Sequence, residues 1–344
     1  MTSELRDASA AGTWRLGDRV VNRMGFGTMR LTADPDTSEA IRVLRRAVEL
    51  GVDHFDTAAF YCSPGGIIDG GPGPVRHATE LLGAALGSYR KRVLIATKIG
   101  PLRMPDGHWG AAESPASLRG QVEENLRRLG VEALDLVNLR ITRNVAVPLA
   151  ERFGALAEMR AEGLIRQLGL SNIGLADLDE ATRIAPVACV QNAYSVEVRG
   201  DDELLRVCGE RGIAFVPFFA IAGARRESGA RTGSDARGES GARRESGTRA
   251  GSDARGESGA RAESGARAGS DARGEAGGAR GRDAAVRRVA ERHGVTEHQV
   301  RLAWTLHQGP HVLAIPGTGK VGHLEQNVAA AAVQLTGTDL AELA

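Results

Sequence analysis

Net charge, cysteine and long apolar runs are all scarce in this chain. Its 344 residues carry 44 Lys and Arg against 43 Asp and Glu, a net charge of +1. A balance so near zero gives no electrostatic argument for a nucleic-acid partner, and none is expected. No apolar run is long enough to span a bilayer, so no membrane partner is expected. The N-terminal MTSELRDASAAGTW has no apolar signal core, which makes the cytoplasm the expected location. The three cysteines, Cys62, Cys189 and Cys208, lie far apart. They make neither a disulfide framework nor a metal-ligand cluster, and no metal is expected. Also missing is a GxGxxG at the first helix, which counts against a doubly wound dinucleotide-binding sheet.

Large apolar side chains are absent from one whole segment. From Gly223 the chain reads GARRESGARTGSDARGES, GARRESGTRAGSDARGES and GARAESGARAGSDARGEA, an 18-residue unit repeated three times to Ala276. Eighteen residues are five helical turns, but no unit has an apolar face to stack on the next, so a solenoid is excluded. The composition cannot offset the entropy of ordering. Residues 223–282 are therefore expected to form a disordered low-complexity insertion, and residues 1–13 a disordered N-terminus.

What remains alternates short apolar runs with amphipathic stretches. Eight strands are expected: Arg23–Gly27, Val52–Asp56, Val93–Lys98, Leu134–Leu139, Ile165–Leu170, Ala188–Gln191, Ile213–Pro217 and Val312–Ile315. Helices fall between them, with apolar residues at helical spacing as in Ile41, Leu44 and Val48. Gly51, Gly130, Gly163 and Gly212 each follow a helix, where a left-handed cap favours glycine. Eight strand–helix units imply a closed (β/α)8 TIM barrel, split by the insertion after strand seven into residues 14–222 and 283–344. The segment TWRLGDRVVNR reads as a β-hairpin preceding the first barrel strand.

Active sites of such barrels lie at the C-terminal ends of the strands. HFDTAAFY ends the second strand with Asp56 and puts Tyr61 in the loop beyond. VLIATKIG ends the third with Lys98. Singly, each residue has an ordinary explanation as a turn cap, an interfacial aromatic or a solvated strand end. Together they form a proton-handling unit. A phenol titrates near 10 on its own, an adjacent ammonium favours its ionised form, and a carboxylate can hold that ammonium.

This constellation resembles the aldo-keto reductases, and the likeness runs from Trp14 nearly to the end of the chain. The resemblance implies an NADPH-dependent enzyme acting on a small-molecule carbonyl. Tyr61 would be the general acid, Lys98 the lysine that lowers its pKa, and Asp56 that lysine's partner. The family's usual histidine at the end of strand four is replaced, in LDLVNLRITRN, by Arg140. Arginine can donate a hydrogen bond to the carbonyl but cannot act as a neutral proton shuttle. The alternative for Arg140 is a structural ion pair. VNLR, CVQN and VPFF together resemble bacterial pyridoxal-reductase-like members, in which arginine replaces this histidine.

The same resemblance implies the cofactor contacts. Ser171, Asn172 and Gln191 would hold the nicotinamide carboxamide, and Phe218 would stack on its ring. Gly27 and Thr28 would lie beside the cofactor. In IPGTGKVGHLEQN, Gly317, Thr318, Gly319 and Lys320 would approach the adenosine 2′-phosphate at a helix N-terminus. His323 stands where arginine is common, and Gln326 and Asn327 match adenine contacts. Trp109, in the long loop after Lys98, would rim the substrate pocket. Pyridoxal is the first candidate substrate. The alternatives are a sugar or secondary-metabolite ketoreductase, and a cofactor-binding regulatory protein with little turnover.

Overall fold

The computed structural model describes residues 7–68, 73–104, 107–142, 145–221 and 271–344, the stretch 271–280 by its backbone only. Seven parallel strands form one curved sheet in chain order. They are Phe26–Gly27, His54–Asp56, Leu94–Ile99, Leu134–Arg140, Ile165–Ser171, Val187–Gln191 and Ala214–Phe215. The segment Val312–Ile315 closes it. Bridges join Phe215 to Val312 and Met24 to Ala314, and Gly25 donates its N–H to the Ala314 carbonyl at 2.8 Å. The eighth strand is thus two bridges and not a regular ladder. It is short, and Pro316 beyond it has no N–H to extend the pairing.

Burial explains why the strand runs are so apolar. All six residues of Leu94–Ile99 are buried. One side faces the barrel interior and the other lies under helices, so alternation with polar residues is lost. The outer helices show the complementary pattern. In Thr37–Glu49, Ala40, Val43, Leu44, Ala47 and Val48 are buried along one stripe, and Asp36 caps the first turn through the Ser38 N–H. Gly130 closes helix Pro115–Leu129 at φ 66°, the left-handed cap that glycine adopts without strain.

The hairpin forms as expected, Thr13–Leu16 pairing with Arg19–Asn22. Its Leu16 and Val21 join Leu94, Leu136, Ala214 and Leu313 in a buried cluster inside the barrel. Two boundaries differ from the expectation. Residues 7–13 are ordered: Asp7 caps a 3-10 turn, Ala8–Ala11, and Ala8 is fully buried, donating its N–H to the Leu50 carbonyl. Alanine packing in place of larger side chains hid that turn. Helix Asp271–His293 begins inside the third repeat unit and not at Asp283. Its later half is packed through Ala285, Val286, Val289 and Ala290. Once that part is formed, extending it backward through Ala, Arg and Glu needs no new nucleus. The rest of the expected disordered insertion, residues 223–270, lies outside the described residues. A short C-terminal helix, Gly337–Glu342, was not anticipated.

Candidate active site

The second and third strand ends bring Asp56 and Lys98 together. Both are buried, at 4% and 2% exposure. The Lys98 Nζ donates to both Asp56 carboxylate oxygens at 2.8 Å and to the Thr57 carbonyl at 2.9 Å. Burial alone would lower the ammonium's pKa, but Asp56 and Tyr61 outweigh it and hold it above its ordinary value. Asp56 and Tyr61 thus keep the buried ammonium charged.

Tyr61 follows in a tight turn, its N–H on the Ala58 carbonyl. Lys98 Nζ lies 4.8 Å from the centroid of its ring. Burial lifts the phenol above its ordinary value; Lys98 is the strongest opposing influence, Asp56 adds to the rise, and Arg140 opposes it. The lysine thus pulls in the expected direction, but burial prevails in this arrangement. Phe60 links Tyr61 to Trp109, edge-on to Tyr61 at 5.3 Å and to Trp109 at 6.0 Å. Trp109 is 39% exposed, stands on the ribbon Pro101–Arg103/Trp109–Ala111 and carries Arg103 on its face. Burial raises the thiol pKa of neighbouring Cys62, so the cysteine is not an activated nucleophile.

Arg140 ends the fourth strand and faces the same centre. It donates to the Ser171 Oγ at 3.0 Å, and its guanidinium lies 5.0 Å from the centroid of the Phe218 ring. Burial lowers its pKa, while Tyr61 and Asp56 support its charge. Among the described residues Arg140 forms no ion pair. Asp56 is already taken by Lys98 and by Gln191, whose Nε2 donates to Oδ1 at 2.8 Å. Among the described residues Arg140 is thus a half-buried cation without a counter-ion.

Of the expected carboxamide contacts, Ser171 and Gln191 are buried at 0% and 1% exposure. Asn172 has φ 61°, a left-handed geometry asparagine tolerates, and its Nδ2 is on the Ile141 carbonyl. The Gln191 Oε1 is buried and has no hydrogen-bond partner among the described residues.

The first and eighth loops meet nearby. A Cβ on Gly27 would come within 2.6 Å of the Ile315 carbonyl oxygen, and one on Gly317 would strike the Gly27 oxygen. Only paired glycines allow that approach. The Thr28 Oγ1 donates to the Asp56 carbonyl at 3.0 Å, tying this junction to the second strand. Beyond it lies a cavity of about 510 Å³ lined by Thr318, Gly319, Lys320, His323 and Arg30, with Asp34 and Glu39 opposite. Arg30 was missed, although GFGTMR places it just beyond Thr28. Lys320 lies 3.8 Å from Asp34. On helix Val321–Ala329, His323 and Gln326 are exposed and Asn327 is buried.

A closed parallel barrel with a buried carboxylate–ammonium pair and a tyrosine at its mouth defines a class of oxidoreductases. The chain belongs to the Aldo/keto reductase family, whose sequence model matches residues 23–344. It is 34% identical over 339 residues to the pyridoxine 4-dehydrogenase of Escherichia coli (strain K12), covering 95% of each chain. It is 35% identical to an uncharacterized oxidoreductase of Schizosaccharomyces pombe, covering 98% of this chain and 90% of that one. Among solved structures, an aldo/keto reductase from Klebsiella pneumoniae, in complex with NADP and acetate, is similar with a TM-score of 0.67 at 25% identity. That match covers 96% of this chain and 93% of the other. No helix among the described residues is long and apolar enough to cross a membrane.

Proposed function

We propose that the chain is an NADPH-dependent carbonyl reductase in which Tyr61 delivers the proton, with pyridoxal-like aldehydes as its first substrate class. The observation that carries this reading is the buried Lys98–Asp56 pair set against Tyr61, with Arg140 facing the same centre. Lys98 supports charge developing on the phenolic oxygen, and Asp56 keeps Lys98 charged and fixed. Arg140 donates to the carbonyl oxygen and polarises it. It does so as a permanent cation, so it orients the substrate and takes no part in proton shuttling.

The residues present fit NADP(H). The unpartnered Gln191 Oε1 would accept a carboxamide N–H, with Ser171 and Asn172 beside it. The Gly27–Gly317 cradle leaves room that any Cβ would fill. Phe218 offers a ring face. Arg30 and Lys320 supply positive charge and His323 an imidazole where an adenosine phosphate would lie, Gly317, Thr318 and Gly319 approach it, and Gln326 and Asn327 flank the base. When bound, this cofactor supplies the hydride. The relationship to a pyridoxine dehydrogenase supports the substrate class.

The test is NADPH consumption against a carbonyl panel holding pyridoxal, aromatic and aliphatic aldehydes and several sugars. Turnover on pyridoxal above the rest supports the full reading. Preference for sugars overturns the substrate class, and absence of turnover on every carbonyl overturns the reductase.

A further inference from the structure

Lys98 has three protons, and its three close contacts are the two Asp56 oxygens and the Thr57 carbonyl. The ammonium also lies against the Tyr61 hydroxyl, close enough for each group to shift the other through a hydrogen bond, so its three protons are divided among four acceptors. For Lys98 to commit a proton fully to a phenolate, one of its other contacts must weaken. The cheapest to give up is the one whose acceptor has another donor.

That acceptor is Asp56 Oδ1. It receives Lys98 Nζ and also Gln191 Nε2, both at 2.8 Å. The amide's orientation follows from chemistry. An ionised carboxylate only accepts, so the NH2 end must face Asp56 and the oxygen must point away. The three side chains are at least 96% buried, so no bulk water can replace a lost contact. The remaining end of the amide, Oε1, is a buried acceptor with no hydrogen-bond partner among the described residues.

We propose that Gln191 is a positioning residue for proton transfer: by holding Asp56 Oδ1 it releases one Lys98 proton toward the Tyr61 hydroxyl. Asp56 then keeps Lys98 through Oδ2 and Gln191 through Oδ1. The ammonium swings toward the phenol without leaving a buried carboxylate oxygen bare. Filling Oε1 with an N–H donor fixes the amide and strengthens its hold on Asp56, so occupancy of the carboxamide site and readiness of the proton donor are linked. The inference deepens the function proposed above and rests on Tyr61 being the donor.

The test reads Tyr61 directly. The chain has only three tyrosines, Tyr61, Tyr89 and Tyr194, so fluorotyrosine-labelled protein gives three resolvable 19F signals, with Tyr61→Phe assigning one. A fluorinated phenol is more acidic, which brings its titration into an accessible range. In Gln191→Met, Lys98 stays committed to Asp56. The Tyr61 titration should move up by about one unit, a tenfold change, without cofactor or substrate present. The kcat–pH profile at saturating NADPH should move with it. Gln191→Leu, likewise unable to donate, should shift Tyr61 the same way and serves where the methionine variant folds poorly, as thermal unfolding on the same sample reveals. An unchanged Tyr61 titration in a folded variant overturns the inference, whatever happens to NADPH affinity. Full turnover by Tyr61→Phe would instead overturn the reductase reading, and the two failures remain distinct.

Discussion

Two buried ion pairs in this barrel look alike and act differently. Lys98–Asp56 spans 2.8 Å with side chains 3% and 6% exposed, and Arg301–Glu197 spans 2.7 Å at 3% and 1%. Both carry a desolvation cost that pairing alone barely repays. Their surroundings separate them. Asp56 and Lys98 adjoin Tyr61, Gln191 and Arg140, a cation with no counter-ion among the described residues. Arg301, on helix Glu297–His307, ties Glu197 in the loop after strand six to Asp283 in the helix that follows the repeat. Ser195 donates to the other Glu197 oxygen. One pair faces the proposed reacting centre, and the other locks two segments of chain together. Burial and distance do not reveal which is which, whereas the groups around the pair do.

The sharpest break in this comparison is Tyr61→Phe. A positioned general acid contributes about 10²–10⁴-fold in rate, so carbonyl reduction should fall by that factor while thermal stability stays near wild type. The pH dependence follows from the raised phenol. Reduction needs the protonated form, so its rate should hold through neutral pH and fall only above the ordinary tyrosine range. Oxidation of the product alcohol needs the phenolate and should climb across the same range. A reduction rate that declines between pH 6 and about 8 would contradict Tyr61 as donor.

Arg301→Met probes the other side of the contrast. It strands Glu197 in a buried site, at a cost of about 3–5 kcal/mol. Denaturant unfolding should show that loss, and turnover per folded molecule should be unchanged. Lost turnover without lost stability would erase the distinction between the pairs.

The sequence reveals the first pair better than the second. Asp56 and Lys98 stand at ends of apolar strands, where a charge is conspicuous. Arg301 sits in an amphipathic helix, where arginine reads as a solvated face, and its partners are 104 and 18 residues away. The Gln191–Asp56 contact joins residues 135 apart and depends on which end of an amide points where. No local pattern encodes that. Helix Asp271–His293 shows a similar limit, because its start depends on packing further along the chain. The barrel itself was legible, since strand and helix periods alternate along its length.

Arg140 stands between the two cases, charged and half-buried but without an ion pair among the described residues. Arg140→Met should depress turnover by about 10²-fold or more through loss of a donor at the carbonyl, and change NADPH affinity far less. Equal losses in both would place Arg140 among the cofactor contacts, together with Ser171 and Phe218, which it touches. If Arg140→His restores full activity, arginine is one of two acceptable donors at this position.

At the cofactor's far end the effect should be smaller. Lys320 and His323 are exposed, and Asp34 lies beside Lys320. A charge-assisted phosphate contact contributes about 1.5–3 kcal/mol, so NADPH should bind more tightly than NADH by roughly tenfold or more. Lys320→Met should narrow that gap, and Asp34→Asn should widen it by removing the competing carboxylate. Equal affinity for the two cofactors in a titration would rule out a phosphate site here.

The smallest effect expected is from removing the repeat. Its near end leaves the barrel just after Phe218 and Phe219, and its far end runs into the helix that Arg301 holds through Asp283. Deleting Gly223–Ala276 leaves both anchors in the chain and removes no large apolar side chain. Loop-closure cost changes by only about 0.6 kcal/mol for each doubling of length, so stability should shift by less than about 1 kcal/mol. Turnover is a finer probe than stability, because the segment departs beside the ring expected to stack on the nicotinamide. A changed rate of cofactor release with unchanged stability would tie the repeat to loop motion at the mouth. Collapse of the barrel on deletion would show that the segment contributes to the fold, against what its composition implies. Combining the deletion with Asp283→Asn separates the two anchors. If the helix is held by Arg301 alone, the double change should destabilise no more than Asp283→Asn in the full-length chain.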